Sequence, residues 1–234
     1  GAAPSATSGL VYTAPIPIRT TTCVRALAFR AGSVPSEVKT HTFLFPNDVE
    51  RQSALPVGFP TTWGATAADY EMDPEIVNGS VRSQLAQALQ SLPSMSLVME
   101  MGDLFGPAGI YSNWSNSGDA WERPGSVELI YPDGEEGFQV NCGVRIYGGV
   151  GRREAKKSFR LQFTRAYGPT ELRYPLFGPA AAERFDQLVL RANFNDAYPY
   201  SNGGVRAQFI RDEFARRLQL ALGDPSAHGI FVHL

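Results

Sequence analysis

Val140–Phe163 reads VNCGVRIYGGVGRREAKKSFRLQF. Two apolar runs with strand-like alternation, Val140–Tyr147 and Ser158–Phe163, are joined through Gly148, Gly149 and Gly151. Arg152, Arg153, Lys156 and Lys157 follow the glycines, with Glu154 the one acid among them. Glycines let backbone N–H groups approach a ligand closely, and lysines at the start of the next strand are placed to meet an anionic oxygen. The same residues also suit a solvent-exposed β-hairpin. Residue type alone favours the hairpin and leaves a nucleotide-phosphate site open.

Around this stretch the chain has the composition of a folded protein. Of its 234 residues, 43% are hydrophobic and 19% charged, and the formal net charge is −2. A core is expected, and no global field draws the chain to nucleic acid or to an anionic membrane. Glycine (23) and proline (17) are frequent, which suits many short strands and turns. No apolar stretch approaches the roughly 20 residues of a membrane span, and no signal peptide is visible. The chain begins at Gly1 and ends on the apolar start of a strand, Ile230–Leu234, so it reads as a fragment or processed product. The two cysteines, Cys23 and Cys142, read as separate buried thiols rather than a disulfide.

Upstream, Tyr12–Ile18 reads as extended because each proline biases its predecessor to extended backbone. Thr22–Phe29 and Glu37–Phe45 read as strands on either side of the Ala31-Gly32-Ser33 turn. Pro46–Ala68 reads as linker. Asp69, Glu71, Asp73 and Glu75 alternate; calcium ligation is one reading and a solvated loop the favoured one. A helix capped by Asn78 or Ser80 is expected to run to Leu92, with Val81, Leu85, Ala88, Leu89 and Leu92 on one face.

Met95–Glu100 and Ser126–Tyr131 read as strands, and Gly102–Asp119 as a turn-rich loop. Phe105, Tyr111 and Trp114 in that loop are buried anchors or, less often, a sugar-stacking platform. Leu172–Phe177 reads as extended, Gln187–Arg191 as a strand, and Ser201–Gly204 as a polar loop. The clearest helix is Val205–Leu222, with Phe209, Ile210, Phe214, Leu218, Ala221 and Leu222 on one face and Gly223 ending it. No HExxH, GxSxG, CxxC or Walker A pattern occurs, so metal–histidine and nucleophilic chemistry have no local sign.

Two resemblances add to this. Tyr12–Phe45, through Tyr12-Thr13, Pro15-Ile16, the threonine run with Val24-Arg25-Ala26, and Pro35-Ser36-Glu37-Val38, resembles the C-terminal half of a chitobiase/β-hexosaminidase C-terminal-type module. Such modules are small immunoglobulin-like β domains of secreted bacterial proteins. Residues 95–234 resemble the N-terminal part of a CotH (spore coat protein H) kinase-like domain. Trp121-Glu122-Arg123-Pro124, Gly143-Val144-Arg145-Ile146 with Gly148-Gly149, and Lys156-Lys157-Ser158-Phe159-Arg160-Leu161 carry that resemblance. Tyr174-Pro175-Leu176-Phe177, Leu190-Arg191-Ala192-Asn193 with Asn195-Asp196, Arg211-Asp212-Glu213-Phe214-Ala215 and Phe231-Val232-His233-Leu234 continue it in order.

The resemblances imply an α+β chain in three parts. Residues 1–45 are a partial β module and 46–94 a linker with one amphipathic helix. Residues 95–234 are a mostly antiparallel β lobe resembling the N-terminal part of an atypical protein-kinase fold. Gly148, Gly149 and Gly151 would then cover ATP phosphates, with Lys156 or Lys157 (the alternation leaning to Lys157) as the strand lysine and Glu213 as its acidic partner. ATP and Mg²⁺ are the implied cofactors and protein Ser or Thr the acceptor. The family's catalytic and metal-binding aspartates would lie beyond Leu234, so no catalytic residue and no kinase activity are expected within this chain. The competing expectation is a non-catalytic cell-surface module that binds polysaccharide or mediates adhesion. Either would be secreted and bacterial.

Overall fold

The computed structural model describes residues 2–63, 66–197 and 207–234. Its first ordered pair is β1 (Thr22–Ala26) and β2 (Lys39–Phe43), antiparallel, with Thr22 opposite Phe43 and Ala26 opposite Lys39. Both lie inside the runs that alternation predicts, and both end early. Beyond Ala26 the ladder gives way to a loop closure, in which Ala28 N–H donates to the Ser36 hydroxyl and Ser36 N–H to the Ala28 carbonyl, each at 2.9 Å. Pro35 has no N–H to continue a ladder. Cys23 is exposed on β1 and Cys142 is buried, and both are free thiols, which corrects the expectation that both are buried.

The segment read as linker carries local structure. α1 (Pro46–Glu50) starts on a proline at a position where no N–H is needed. β3 (Thr62–Trp63) and β4 (Thr66–Ala67) pair, and Trp63 Nε1 donates to the Tyr70 hydroxyl at 2.9 Å. α2 (Pro74–Val77) is capped by Asp73, whose carboxylate accepts from Glu75 N–H at 2.8 Å. That acid is therefore a helix cap rather than a calcium ligand. α3 (Arg82–Leu89) is shorter than expected and has no side-chain cap, because Asn78 ends α2, donating to the Pro74 carbonyl, instead of starting α3. Leu85, Ala86 and Leu89 are its half-buried residues.

The main sheet follows. β5 (Ser94–Met99) leads into α4 (Met101–Phe105), a helix inside the segment read as loop, and a 3₁₀ turn (Asp119–Trp121) precedes β6 (Arg123–Ile130). β7 (Phe138–Tyr147), β8 (Ser158–Gln162) and β11 (Gln187–Leu190) complete it, while β9 (Leu172–Arg173) and β10 (Arg184–Phe185) pair separately between β8 and β11 in the chain. β11-β8-β7-β6-β5 is one five-stranded sheet, antiparallel at every pairing. β9 stops at Arg173 because Pro175 cannot donate; a turn from the Pro175 carbonyl to Gly178 N–H replaces the strand.

Alternation sorts this sheet into two faces. Val127, Leu129, Val140, Cys142, Val144, Ile146 and Leu161 point into one buried core with Met95, Ile110, Phe163 and Leu188. Ser126, Glu128, Asn141, Arg145 and Arg160 lie on the other face. The β1–β2 unit docks there through polar groups. Glu128 accepts from Thr42 N–H at 2.7 Å and meets His41 Nδ1 at 2.9 Å. Asn141 donates to the Val38 carbonyl at 3.1 Å, and Arg25 pairs with Glu100 at 2.9 Å.

α5 (Arg211–Ala221) is the predicted C-terminal helix, starting later than its periodicity suggests; Val205–Arg206 and the Ser201–Gly204 loop lie outside the described residues. Before it, Phe209 has φ 57°, Gln208 N–H donates to the Asp196 carboxylate, and Phe209 N–H donates to the Asp196 carbonyl. These bonds hold 208–209 out of helical geometry. The apolar stripe of α5 faces outward: Phe214 is 66% exposed and Leu222 72%, whereas Glu213 is buried. The expected final strand is reduced to one parallel bridge between Ser94 and His233.

The molecule is thus α+β and mostly antiparallel. Among the described residues no helix is long and apolar enough to cross a membrane.

Candidate functional site

The glycine connection leaves β7 at Tyr147 and enters β8 at Ser158, which face each other. Between them lies a 3₁₀ turn, Val150–Arg153, so the link is an elaborated loop rather than a tight hairpin turn. The glycines serve different ends. Gly148 has φ 110°, a backbone that a side chain would strain. At Gly149 a Cβ would meet nothing within 4 Å, so its backbone borders open space. At Gly151 a Cβ would lie 2.5 Å from the Phe194 ring, so this glycine is required by packing.

The two lysines, which immediately precede β8, point to different surroundings. Lys157 is buried, and its Nζ donates to the Arg152 carbonyl at 2.6 Å and to the Glu154 carbonyl at 2.8 Å. The ammonium also lies 4.5 Å from the centroid of the Tyr111 ring. Burial pushes its pKa down to about 8. Lys156 Nζ stands 5.4 Å from the Phe209 ring centroid, and burial likewise lowers its pKa.

Glu213 meets neither lysine. Its carboxylate accepts from Arg216 at 2.9 Å and from Arg217 at 2.8 Å, on its own helix. Burial pushes its pKa up, but the hydrogen bonds from Arg217 and Arg216 outweigh that and hold it below the ordinary carboxylate range. The lysine–glutamate pair anticipated from the resemblance is therefore not formed in this conformation. Each partner is occupied by groups close to it in sequence.

Beside Gly148 and Gly149 opens a cavity of about 460 Å³. Its wall holds Arg145, Arg152 and Arg160, the aromatic residues Trp121 and Tyr147, and no carboxylate. Arg145 is paired outside that wall, to Glu122 at 2.5 Å and Asp119 at 2.7 Å. Arg152 donates to the carbonyls of Trp114, Asn116 and Ile146, which fasten the 3₁₀ turn to the sheet and the 110–118 loop. Arg160 stacks on Tyr147, 4.5 Å from its ring centroid. Among the described residues it makes no hydrogen bond or ion pair, and its Nε is a buried donor without a partner.

Arg145 and Arg160 face each other across β7 and β8, on the opposite face from the core. The sequence marked Arg152 only as one of the cations after the glycines, and Arg145 and Arg160 only as parts of the motifs that carry the resemblance; none of the three was expected at the site. The available signal was that Arg160 shares the phase of Lys156.

Tyr111 and Phe105 are anchors, with ring centroids 5.3 Å apart; Trp114 remains 39% exposed. The arginine wall and glycine rim fit an anionic, phosphate-like group. For a divalent cation the donors do not fit: among the described residues no three His, Cys, Asp or Glu come together as a metal site.

The family model described as Fn3 associated matches residues 1–43, which contain β1 and β2. No curated protein and no solved structure matches the chain.

Proposed function

We propose that residues 95–234 are the nucleotide-covering part of a CotH-like atypical protein-kinase domain, joined to a chitobiase/β-hexosaminidase C-terminal-type β module. The parent would be a secreted bacterial protein that transfers phosphate from ATP to protein Ser or Thr. The observation that carries this reading is the cavity whose rim is Gly148–Gly149 and whose wall has three arginines and no acid. A triphosphate is stabilised where fixed donors and positive charge converge; Glu122 and Asp119 already match the charge of Arg145, which leaves that of Arg152 and Arg160. In phosphoryl transfer the protein's main work is positioning and charge stabilisation. In this reading the glycine connection covers the phosphates, Lys157 holds the connection in shape from beneath, and Tyr147 and Trp121 supply aromatic surface beside them.

Equilibrium binding of ATP to the 234-residue chain tests this. Saturable binding that weakens with added salt is expected. Absence of binding at low ionic strength would remove the nucleotide reading.

A second reading is a polysaccharide-binding or adhesion module on a kinase-like scaffold. The exposure of Tyr12 (71%) and Trp114 (39%) favours it, because exposed rings stack on sugars. Retention on insoluble polysaccharide, lost in Trp114→Ala, would support it; equal retention of the variant would count against it.

A further inference from the structure

We infer that Arg160, rather than either lysine, is the residue that grips an anionic phosphate group in the cavity beside Gly148–Gly149. This deepens the nucleotide reading and rests on it for the identity of the ligand.

The argument is one of elimination among the cations near the glycine connection. Lys157 is committed, with two carbonyls and the face of Tyr111 around its ammonium. Lys156 is not part of the cavity wall. Arg145 already serves two carboxylates, and Arg152 three carbonyls. Among the described residues Arg160 is the one arginine of the wall that makes no hydrogen bond or ion pair. Its Nε is enclosed, so the donors it can offer a ligand are its two terminal nitrogens, which are neither enclosed nor bonded.

Its geometry suits an anion. The Tyr147 ring supports the guanidinium from one side, which holds its plane and reduces the rotamer freedom lost on binding. A planar guanidinium then offers parallel N–H groups that match two oxygens of one phosphate. Asn113, Asn116 and Ser117 add neutral polar groups to the same wall. Trp121 gives the ligand's non-ionic part an aromatic surface. The ligand class is a phosphate ester or anhydride with an attached apolar group.

The test uses the whole chain with two probes, ATP and inorganic pyrophosphate, at low and moderate salt. Arg160→Met keeps the apolar stem and removes the fork, Arg160→Lys keeps the charge, and Arg173→Met removes an exposed charge that is not part of the cavity wall. Circular dichroism confirms that each variant is folded. At least tenfold weaker binding of both probes in Arg160→Met is expected, with partial recovery in Arg160→Lys and no change in Arg173→Met. ATP binding unchanged by Arg160→Met would overturn the role of Arg160 and leave the nucleotide reading standing. Arg160-dependent pyrophosphate binding with no tighter binding of ATP would keep the anion site and overturn the nucleotide reading. Binding of neither probe to the wild-type chain would overturn both.

Discussion

Lys157 and Tyr111 hold the glycine connection together from beneath. The ammonium lies 4.5 Å from the Tyr111 ring centroid, and the Tyr111 hydroxyl donates a 2.6 Å hydrogen bond to the carbonyl of Ala155, two residues before the lysine. The ring thus packs against the side chain while its hydroxyl fixes the backbone that leads to it.

The pH dependence of this contact has a definite sign. Burial lowers Lys157 from the ordinary 10.5 to about 8, so between those values the unfolded chain carries more protons than the folded one. Stability from this group therefore rises as pH increases through that window, and below it the buried charge is a net burden. The stability of wild type relative to Lys157→Met should increase between about pH 7.5 and about pH 9.5, measured by urea unfolding at each pH. Parallel pH profiles of the two proteins would show that the lysine is not desolvated.

Gly151 and Phe194 make a second contact that single substitutions can probe. Gly151→Ala should destabilise by about 1–3 kcal/mol, because its methyl would collide with the Phe194 ring. Phe194→Leu in the same chain should recover part of the loss, giving a coupling detectable in a double-mutant cycle of thermal unfolding. Strict additivity of the two changes would break the assigned contact.

The docking of β1–β2 depends on Glu128, which serves both His41 and Thr42. Glu128→Ala leaves the Thr42 N–H without its acceptor and should weaken docking by about 1–3 kcal/mol. Hydrogen exchange of the Thr40 and Thr42 amides should accelerate, while Val144 and Leu161 in the sheet core stay protected. Unchanged exchange in β2 would mean that other contacts hold the module.

Glu213 contributes in the opposite pH range from Lys157. Its carboxylate is held below the ordinary 4.5 by Arg217 and Arg216 despite burial. Its share of stability is present above 4.5 and is lost as pH falls through its lower folded value. Glu213→Gln should destabilise by about 1–2 kcal/mol at neutral pH, and that difference should shrink on acidification, followed by circular dichroism. A difference constant down to acid pH would show that the charge has no part in it.

How far the sequence reached differs from element to element. The alternation in TCVRA and NCGVRIY announced β1 and β7, because a half-buried strand must place apolar groups on every second residue, and the short apolar run Met95–Glu100 announced β5. The same alternation put Lys157 in phase with Leu161 and Lys156 with Arg160, and the structure keeps that division. The helix periodicity after Phe209 was equally plain, but periodicity names a face without saying what it meets. α5 turns Phe214 and Leu222 outward and buries Glu213. Its start was hidden as well, since it depends on the Asp196 carboxylate reaching Gln208, twelve residues ahead.

Charge and spacing within Gly148–Lys157 marked where positive groups gather. Which of them is free was decided by residues distant in sequence. Arg152 is taken by Trp114 and Asn116, Lys157 is enclosed by Tyr111, and Arg145 is matched by Asp119 and Glu122. The approximate positions of β1, β2, β5, β6, β7, β8 and β11 and the two faces of the sheet follow from local sterics and alternation, so the sequence by itself determined them. The unpartnered Nε of Arg160, the docking of β1–β2 on the polar face and the outward turn of α5 arise from tertiary contacts. Hydrogen-bonding capacity is spent on whatever the fold brings near, and that is settled only when the chain has closed on itself.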